Sequence, residues 1–433
     1  MMNKGDITRI LKTWNLWDKE IDNGIMRDLY VNRITSLIKE SAINIVIETG
    51  IRRSGKSFIA KQVAKKLVES KVPRKNILII NLEDERLIER NYDLLLQIYA
   101  AYKENINRDE KSIIIIDEAQ EADGWERFVR GLSERGDAKF IITGSSSKLL
   151  DSEFSTLLSG RHVVVYVHPL NLSELKEFTS KNDALIRYID GGGFPAIVLS
   201  DMKSDMVSSY FNTIILKDVI QRFGIRKEDN LVRLAKFYIT SIGSKISFNS
   251  ISKFLKLPVK TVYNFSLYLE KSYLIFFVDR FSFSIKAQDN SPRKVYSIDN
   301  SFPFYLGINP IKIGGRLLEN AVATTLYLIS RHNTEFHFYY WNENNGEVDF
   351  VIKYKQKYEA VQVAYSVGAE KTREREVAGL LDCCKRLNLG SGEIVTMDYN
   401  GEELLGNISI EYVSADVWVE EKLKEYGPSS SPS

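Results

Sequence analysis

The stretch Gly50–Ser57 has the residue types and the spacing of a phosphate-binding loop. It reads G-x-x-x-x-G-K-S, follows the apolar run Ile43–Ile47 and precedes Phe58–Leu67, in which apolar residues recur at helical spacing. Glycines allow successive backbone N–H groups to converge on a phosphate, and the dipole of the following helix favours negative charge at the same point. Since a strand, a glycine-bearing loop and a helix N-terminus are the context that this pattern requires, the sequence predicts a nucleotide-phosphate site.

We expect ATP and Mg²⁺ as the cofactors of this loop, with a separate job for each polar side chain. Lys56 would reach the β- and γ-phosphates, and the hydroxyl of Ser57 would be a ligand of Mg²⁺. The residues expected to contact the nucleotide are Gly50, Ile51, Arg52, Arg53, Ser54, Gly55, Lys56, Ser57 and Phe58.

Two adjacent acids, Asp117 and Glu118, end the apolar run Ile113–Ile116. The first acid would hold Mg²⁺, directly or through water. The second acid, if aimed at the γ-phosphate, would orient and polarise the attacking water. The alternative is that both acids stand at the N-terminus of a helix that begins at Ala119. Because the phosphate loop lies in the same chain, we predict the catalytic pair.

Two further polar residues are candidates for contact with the γ-phosphate. Ser145 follows the apolar run Phe140–Thr143, and either it or Ser146 would contact the phosphate or cap the next helix. Arg161 precedes a further apolar run and would act as an arginine finger on a neighbour's nucleotide, or it is an ordinary surface arginine. The first role for Arg161 would require a homo-oligomer.

The elements that must position these residues are short apolar runs that alternate with helical patterns. Continuous apolar strands that alternate with helices are typical of a parallel sheet that is covered on both faces. In such sheets the ligand lies at the carboxyl ends of the strands, which is where the loop, the two acids and Ser145 fall. The runs are 43–47, 76–81, 113–116, 140–143 and 163–167.

A chain of 433 residues exceeds what a single core supports, so several domains are expected. The predicted fold class is α/β. The predicted parts are a P-loop ATPase core with a parallel sheet (1–174), a helical lid (175–235), a winged helix (236–304), an α/β restriction-endonuclease-like domain (305–426) and a disordered tail (427–433).

The predicted winged helix lies in the most basic part of the chain. Between Lys217 and Lys294 there are 15 Lys/Arg and 6 Asp/Glu, a local charge of +9 in a chain whose net charge is +2. The second helix of the predicted helix-turn-helix, Lys260–Glu270, contains Lys260, Tyr263 and Asn264, where contacts to DNA would arise. A basic module of this kind indicates DNA binding, but a solvated face or a protein partner would also explain the charge.

Acids near the C-terminus follow the layout of metal-dependent nucleases. Glu319 lies in a helical pattern and Asp349 in a strand, while the next strand has Gln362 and Ala364 where a glutamate and a lysine would stand. A neutral amide is a poor ligand for Mg²⁺, and alanine cannot transfer protons. The sequence therefore predicts a degenerate, inactive site in which Glu319 and Asp349 are remnants or structural acids.

Other features place the chain in the cytoplasm and away from membranes. The longest apolar run, Tyr273–Val278, has six residues, whereas a membrane-spanning helix needs about 18. The first residues lack the apolar core of a secretion signal. The adjacent Cys383 and Cys384 suit a reducing compartment.

Together these motifs make the sequence resemble archaeal and bacterial AAA-type P-loop ATPases that have a C-terminal domain of unknown function similar to PD-(D/E)XK nucleases. The resemblance implies an ATPase core, a winged helix and a nuclease-like domain, with ATP as ligand and with Lys56, Ser57, Asp117 and Glu118 in the roles given above. It is based on Gly50–Ser57, Ile115–Ala119, Ile142–Ser146, Gly160–Arg161, Gly315–Asn320, Gly346–Phe350 and Thr372–Glu376.

The leading hypothesis is an Mg²⁺-dependent ATPase that couples its nucleotide state to the binding of DNA or of a protein. One alternative is an ATP-regulated, metal-dependent DNA nuclease, which needs Glu319 and Asp349 to bind a metal without the strand lysine. The other is a nucleotide-gated switch that binds a protein partner and scarcely hydrolyses ATP.

Overall fold

The computed structural model divides into two compact units, one up to Val167 and one from His168. The predicted tail lies outside the described residues from position 428 onward. The structure describes residues 3–20, 22–108, 110–145, 162–179, 183–307, 314–343, 346–366 and 370–427.

The first unit is built on a sheet of five parallel strands. The strands are β1 (Ile45–Thr49), β2 (Ile77–Asn81), β3 (Ser112–Asp117), β4 (Ala138–Gly144) and β5 (His162–Tyr166). The α-helices are α1 (Lys4–Trp14), α2 (Asp28–Lys39), α3 (Lys56–Glu69), α4 (Tyr92–Asn105) and α5 (Trp125–Glu134).

Helices cover both faces of this sheet. On one face α1, α4 and α5 pack on the even-numbered residues of β3, such as Ile114 and Ile116. On the other face α2 and α3 pack on Ile115, Ile141 and Val46. Burial of the strands on both faces explains their continuous apolar sequences. The predicted α/β class with a parallel-sheet core is confirmed.

The strand order β2-β3-β4-β1-β5 places β4 between β1 and β3. Glu48 of β1 lies opposite Thr143 of β4, and Ile141 of β4 lies opposite Ile115 of β3. Because strands alternate their side chains between faces, Glu48, Thr143 and Asp117 form one row across three strands. The row faces α3 at the carboxyl edge of the sheet.

The second unit contains two sheets. The six-stranded sheet has the order β13-β14-β12-β11-β10-β9, and the three-stranded sheet has the order β6-β8-β7. The strands are β6 (Lys245–Ile246), β7 (Ile275–Val278), β8 (Arg293–Ser297), β9 (Phe336–Glu343), β10 (Gly346–Tyr354), β11 (Lys357–Val363), β12 (Ser391–Thr396), β13 (Gly401–Leu405) and β14 (Ile408–Ser414).

Helices account for most of the remaining described part of this unit. A π-helix, Ile214–Gln221, follows directly after the α-helix Lys203–Thr213. The α-helices are α6 (Leu172–Phe178), α7 (Ala184–Gly191), α8 (Pro195–Val198), α9 (Lys203–Thr213), α10 (Glu228–Thr240), α11 (Phe248–Leu255), α12 (Val259–Lys271), α13 (Ile285–Asp289), α14 (Ser301–Leu306), α15 (Gly314–His332), α16 (Glu370–Leu387) and α17 (Ala415–Tyr426).

The segment from α10 to β8 runs helix, strand, helix, helix, strand, helix, strand, with the short helix α13 between β7 and β8. The turn between α11 and α12 is made by Lys256, which has a positive φ of 56°, and by Pro258, which precedes the first residue of α12. The strands β7 and β8 pair antiparallel. In the described part of the chain, no helix combines the length and the apolar character needed to cross a membrane.

Candidate functional site

The predicted phosphate loop joins the end of β1 to the start of α3. Gly55 has a φ of 99° and the helix begins at Lys56. Gly50 has a φ of 147°, and a Cβ atom there would lie 2.1 Å from the carbonyl oxygen of Val167. Gly55 is therefore required by its positive φ. Gly50 is required both by its positive φ and by its close packing against Val167.

A buried arginine holds this loop from outside the motif. The Arg27 Nη1 atom donates to the Ser54 carbonyl oxygen at 2.7 Å, and the Arg27 backbone N–H donates to Gln62 Oε1 at 3.1 Å. Gln62 lies on α3 and in turn donates to the carbonyl oxygens of Asn23 and Ile25. The segment before α2 thus fixes both the loop and the first turns of its helix.

The Lys56 side chain folds back over the loop. Its Nζ atom donates to the carbonyl oxygens of Gly50 at 3.0 Å and Ile51 at 2.9 Å. The backbone N–H of Phe58 donates to the Gly55 carbonyl oxygen at 3.0 Å, and the residue is 45% exposed. A contact between Phe58 and the nucleotide therefore stays a prediction.

The two arginines of the loop lie in different environments. Arg53 has a positive φ of 70° within the loop. Arg52 has its Nη1 atom 3.7 Å from Glu83 Oε1, and its side chain is 13% exposed. A cationic side chain thus lines the loop in addition to Lys56.

Ser57 and Asp117 meet, as the sequence predicts for a shared Mg²⁺ site. Ser57 Oγ donates to Asp117 Oδ1 at 2.8 Å. Thr143 Oγ1 donates to the same Asp117 oxygen and accepts from the Glu118 backbone N–H at 3.1 Å. Burial raises the pKa of Asp117, against the hydrogen bond from Thr143, which lowers it. A hydroxyl and a carboxylate within hydrogen-bonding distance are suitable oxygen donors for Mg²⁺.

Glu118 does not cap the short 3₁₀ helix Ala119–Glu121, since its side chain makes no capping hydrogen bond. The backbone of Glu118 has a φ of 55°, a left-handed conformation that is unusual for a glutamate. Its Oε2 atom accepts from the Ser145 backbone N–H at 3.2 Å and lies 3.4 Å from Ser145 Oγ. Ser145 therefore orients the carboxylate of Glu118, a contact that the sequence did not indicate.

The charge state of Glu118 follows from its neighbours. Burial would raise its pKa, but the Lys56 ammonium and the hydrogen bond from Gln120 outweigh this effect and lower the pKa. The carboxylate is therefore ionised at neutral pH. An ionised, oriented carboxylate can polarise a water molecule.

Glu48 is a site residue that sequence reasoning missed. It is fully buried on β1, in the row with Thr143 and Asp117, and neither of its carboxyl oxygens has a hydrogen-bond partner among the described residues. Burial and the nearby Asp117 raise its pKa well above the ordinary value, although Lys56 lowers it. The available signal was an acid directly after the apolar run and two residues before the first glycine of the loop.

Two predicted candidates, Ser146 and Arg161, lie outside the described residues. In the described ranges, no group of three or more His, Cys, Asp or Glu side chains is arranged to hold a metal ion.

The C-terminal acids are brought together, but with a partner that the sequence did not indicate. Glu319 of α15 and Asp349 of β10 both contact Lys294, which arrives from β8. Lys294, Glu319 and Asp349 all line a cavity of about 990 Å³. Gln362 lines the same cavity, where its Oε1 accepts from the Asp349 backbone N–H at 3.0 Å and its Nε2 donates to Glu376.

Comparison with known proteins supports the assignment of the first unit. Residues 42–176 match the protein family described as an AAA domain. The chain is 31% identical over 438 residues to the uncharacterized protein MJ1544 of Methanocaldococcus jannaschii, an alignment that covers 93% of this chain and 94% of that protein. The chain belongs to the family of MJ1544. Its first unit is a nucleotide-binding core of the AAA ATPase type.

The other similarities of this AAA-domain protein are more distant. Residues 182–310 and 314–414 match two domains of unknown function, DUF8612 and DUF4143. An uncharacterized protein of Haemophilus influenzae is 26% identical over 90% of this chain and 97% of its own length. Among solved structures, the ORC1 protein of Aeropyrum pernix in complex with DNA aligns with 67% of this chain and 94% of that chain at 12% identity, with a TM-score of 0.31. A TM-score of that size supports no argument from the ORC1 structure.

Proposed function

We propose that the first unit hydrolyses ATP with the help of Mg²⁺. The observation that supports this most strongly is the meeting of Ser57, Asp117 and Glu118 next to Lys56 at the carboxyl edge of one parallel sheet. These are the groups that phosphoryl transfer needs: a cation for the phosphates, oxygen ligands for the metal and a carboxylate for the water.

Each side chain has a distinct part in the proposed reaction. Lys56 exchanges its two backbone carbonyl partners for phosphate oxygens, which accept its hydrogen bonds more strongly because they are charged. Ser57 and Asp117 would hold Mg²⁺, which supplies positive charge beside the phosphates. Glu118, kept ionised by Lys56 and held by Ser145, orients the attacking water and accepts its proton.

Replacement of Lys56 tests this proposal against a matched lysine on the same helix. We expect Lys56→Ala to lower the rate of phosphate release from ATP by about a hundredfold or more, the usual effect of removing an electrostatic contact to the reacting group. Lys66→Ala, ten positions further along α3, should keep the wild-type rate. Full turnover by Lys56→Ala would refute the assignment.

We also propose that the second unit binds double-stranded DNA through the segment α11–β8. The turn between α11 and α12 and the loop that contains α13 both combine exposed cations with exposed apolar side chains. This composition suits contacts to phosphates beside contacts to bases. The exposed cations are Lys253, Lys256, Lys260 and Lys286, and the exposed apolar side chains are Phe254, Val259, Tyr263, Phe283 and Ile285.

The basic surface is smaller than the local charge of +9 suggests. At least four of the cations in this region bind acids: Lys245 binds Glu347, Arg280 binds Glu343, Arg293 binds Asp279, and Lys294 binds three carboxylates. These cations are already paired with acids of the same unit, so the DNA proposal rests on the exposed lysines.

A charge-reversal pair tests the DNA surface. The double variant Lys253→Glu/Lys260→Glu should weaken binding of labelled duplex DNA, measured by fluorescence anisotropy, at least about tenfold and should make the salt dependence shallower. The matched control reverses Lys357 and Lys424, which are exposed lysines of the same unit. Equal affinities for the two double variants would exclude this surface and favour a protein partner.

A further inference from the structure

The Lys294 ammonium lies at the centre of three carboxylates. Its Nζ atom is 2.7 Å from Asp349 Oδ1, 3.0 Å from Glu319 Oε1 and 3.1 Å from Glu347 Oε1. Its side chain is 2% exposed. Lys294 comes from β8 in the three-stranded sheet, whereas Glu347 and Asp349 belong to β10 of the six-stranded sheet. One cation thus joins both sheets and α15.

The oxygens that surround this cation are also held from behind. Asp349 Oδ2 accepts from the Val363 backbone N–H at 3.1 Å, and Glu347 Oε2 accepts from Lys245 at 2.8 Å. Glu319 Oε1 also accepts from the Tyr296 hydroxyl at 2.7 Å. The carboxylates are therefore fixed with one oxygen of each directed at Lys294.

The backbone around the cluster is shaped for this arrangement. A register irregularity in the pairing of β10 with β9 lies between Val348 and Val351 and so includes Asp349. Such a bulge re-aims a side chain and releases a backbone N–H from the ladder, and here that N–H donates to Gln362. Beside Glu319, a Cβ atom at Gly243 would come within 2.7 Å of Oε2. Gly243 therefore packs directly against the Glu319 carboxylate.

The charges of the cluster nearly balance without a metal. Lys245 and Lys294 together supply the charge that a divalent cation would supply. Against the three carboxylates Glu319, Glu347 and Asp349, the two ammonium groups leave a net charge of −1 on the cluster.

We propose that the Lys294 ammonium permanently occupies the position at which a nuclease of this layout would hold its metal ion, so that the acidic cluster binds a side chain of its own chain in place of a divalent cation. A lysine that assists a metal-bound water would stand beside the metal. Here a single ammonium contacts all three carboxylates, so a metal bound by the same oxygens would lie against it, and like charges at that separation repel strongly. The proposal is independent of ATP hydrolysis.

Counting bound Mn²⁺ by electron paramagnetic resonance tests the proposal on the full chain without nucleotide. With Lys294 in place, the single substitution Asp349→Asn should leave the number of bound Mn²⁺ ions the same as in the wild type, because Lys294 already fills the cluster. Lys294→Met should gain one Mn²⁺ site, and Lys294→Met/Asp349→Asn should lose it again. Lys245→Met is the matched control, since Lys245 touches Glu347 alone of the three acids and should gain no site.

Two results would overturn the proposal. One is a Mn²⁺ ion bound by the wild type and lost in Asp349→Asn, which would make Lys294 a companion of the metal. The other is a folded Lys294→Met protein that gains no Mn²⁺. If Lys294→Met folds only in millimolar Mn²⁺, the metal has replaced the ammonium and the proposal is supported; if Mn²⁺ does not restore folding, the cluster is not a cation site and the proposal fails.

Discussion

At the scale of single residues, the first unit is governed by the row Glu48, Thr143 and Asp117. Thr143 is the central member, since its hydroxyl serves Asp117 as donor and the Glu118 backbone as acceptor. It thereby fixes the residue that would bind metal and the residue that would activate water. Neither carboxyl oxygen of Glu48 has such a partner among the described residues.

Replacement of Thr143 by valine should lower activity more than binding. Thr143→Val keeps the shape but leaves the Glu118 N–H unpaired, which we expect to cost about 1–3 kcal/mol of folding free energy. ATP turnover should fall about tenfold or more because Glu118 loses its orientation, with little change in ATP affinity. Thr143→Ser, which keeps the hydroxyl, is the control. Equal turnover in the valine and serine variants would contradict this role.

Glu48 should make the stability of the protein depend on pH. Because its pKa is raised in the folded state, the folded protein keeps a proton that the unfolded chain releases. Stability is therefore lost as the pH rises above the ordinary glutamate pKa of 4.5 and through the raised one. The groups that face Glu48 are Asp117, which adds to the effect, and Lys56, which opposes it.

The isosteric variant Glu48→Gln removes this loss. We expect it to unfold at a higher denaturant concentration than the wild type at pH 8, by the equivalent of about 1–3 kcal/mol, and to lose that advantage near pH 5. Glu69→Gln, at the exposed end of α3, should change neither value. A Glu48→Gln protein that is equally or less stable than the wild type at pH 8 would show that the carboxylate is paired in solution.

At the scale of elements, the cluster around Lys294 ties β8 to α15 and β10. Removing one partner of a buried ion pair leaves its acids uncompensated, so we expect Lys294→Met to lower the free energy of unfolding by about 3–5 kcal/mol. Lys245→Met removes a pair that is 36% exposed on the lysine side and 37% on the glutamate side, and surface pairs contribute about 1 kcal/mol or less. Chemical denaturation of the two variants measures the difference, and equal losses would contradict the assigned burial.

The elements themselves were largely visible in the sequence, because each is encoded locally. The apolar runs of the first sheet, the turn at Pro258 and the glycines of the phosphate loop all have signals within a few residues. The Lys294 cluster has none. Lys294 is 25 positions from Glu319 and 55 from Asp349. No local signal pairs β8, which carries Lys294, with β10, which carries Glu347 and Asp349. From Ala364 the sequence therefore predicts only that the site lacks its lysine.

Glu48 was missed for a related reason. The apolar run that predicts β1 ends at Ile47, so Glu48 is not part of the predicted strand, whereas β1 continues to Thr49. Only the strand order, with β4 next to β1, shows that Glu48 faces Thr143. By contrast, Ser57 and Asp117 were paired correctly from sequence, since the carboxyl ends of parallel strands share one edge.

At the scale of the whole molecule, the AAA-domain match and the parallel sheet agree on a nucleotide-binding core of the AAA type in the first unit, and the link between ATP hydrolysis and the second unit is a proposal. If nucleotide hydrolysis is coupled to DNA binding, duplex DNA should raise steady-state ATP turnover several-fold at about 50 mM salt and lose that effect at about 200 mM, since phosphate contacts are released by salt. Turnover that is indifferent to DNA at both concentrations would favour a protein partner.

The most direct measurement of the central claim is phosphate release by the wild type and by Glu118→Gln, with bound ATP quantified in the same samples. We expect Glu118→Gln to bind ATP as tightly as the wild type and to release phosphate at least about a hundredfold more slowly, because the amide cannot accept a proton from water. A wild-type rate in Glu118→Gln would remove Glu118 from the mechanism. A wild type that holds ATP unhydrolysed for minutes would identify a nucleotide-gated switch and contradict the account of an ATPase.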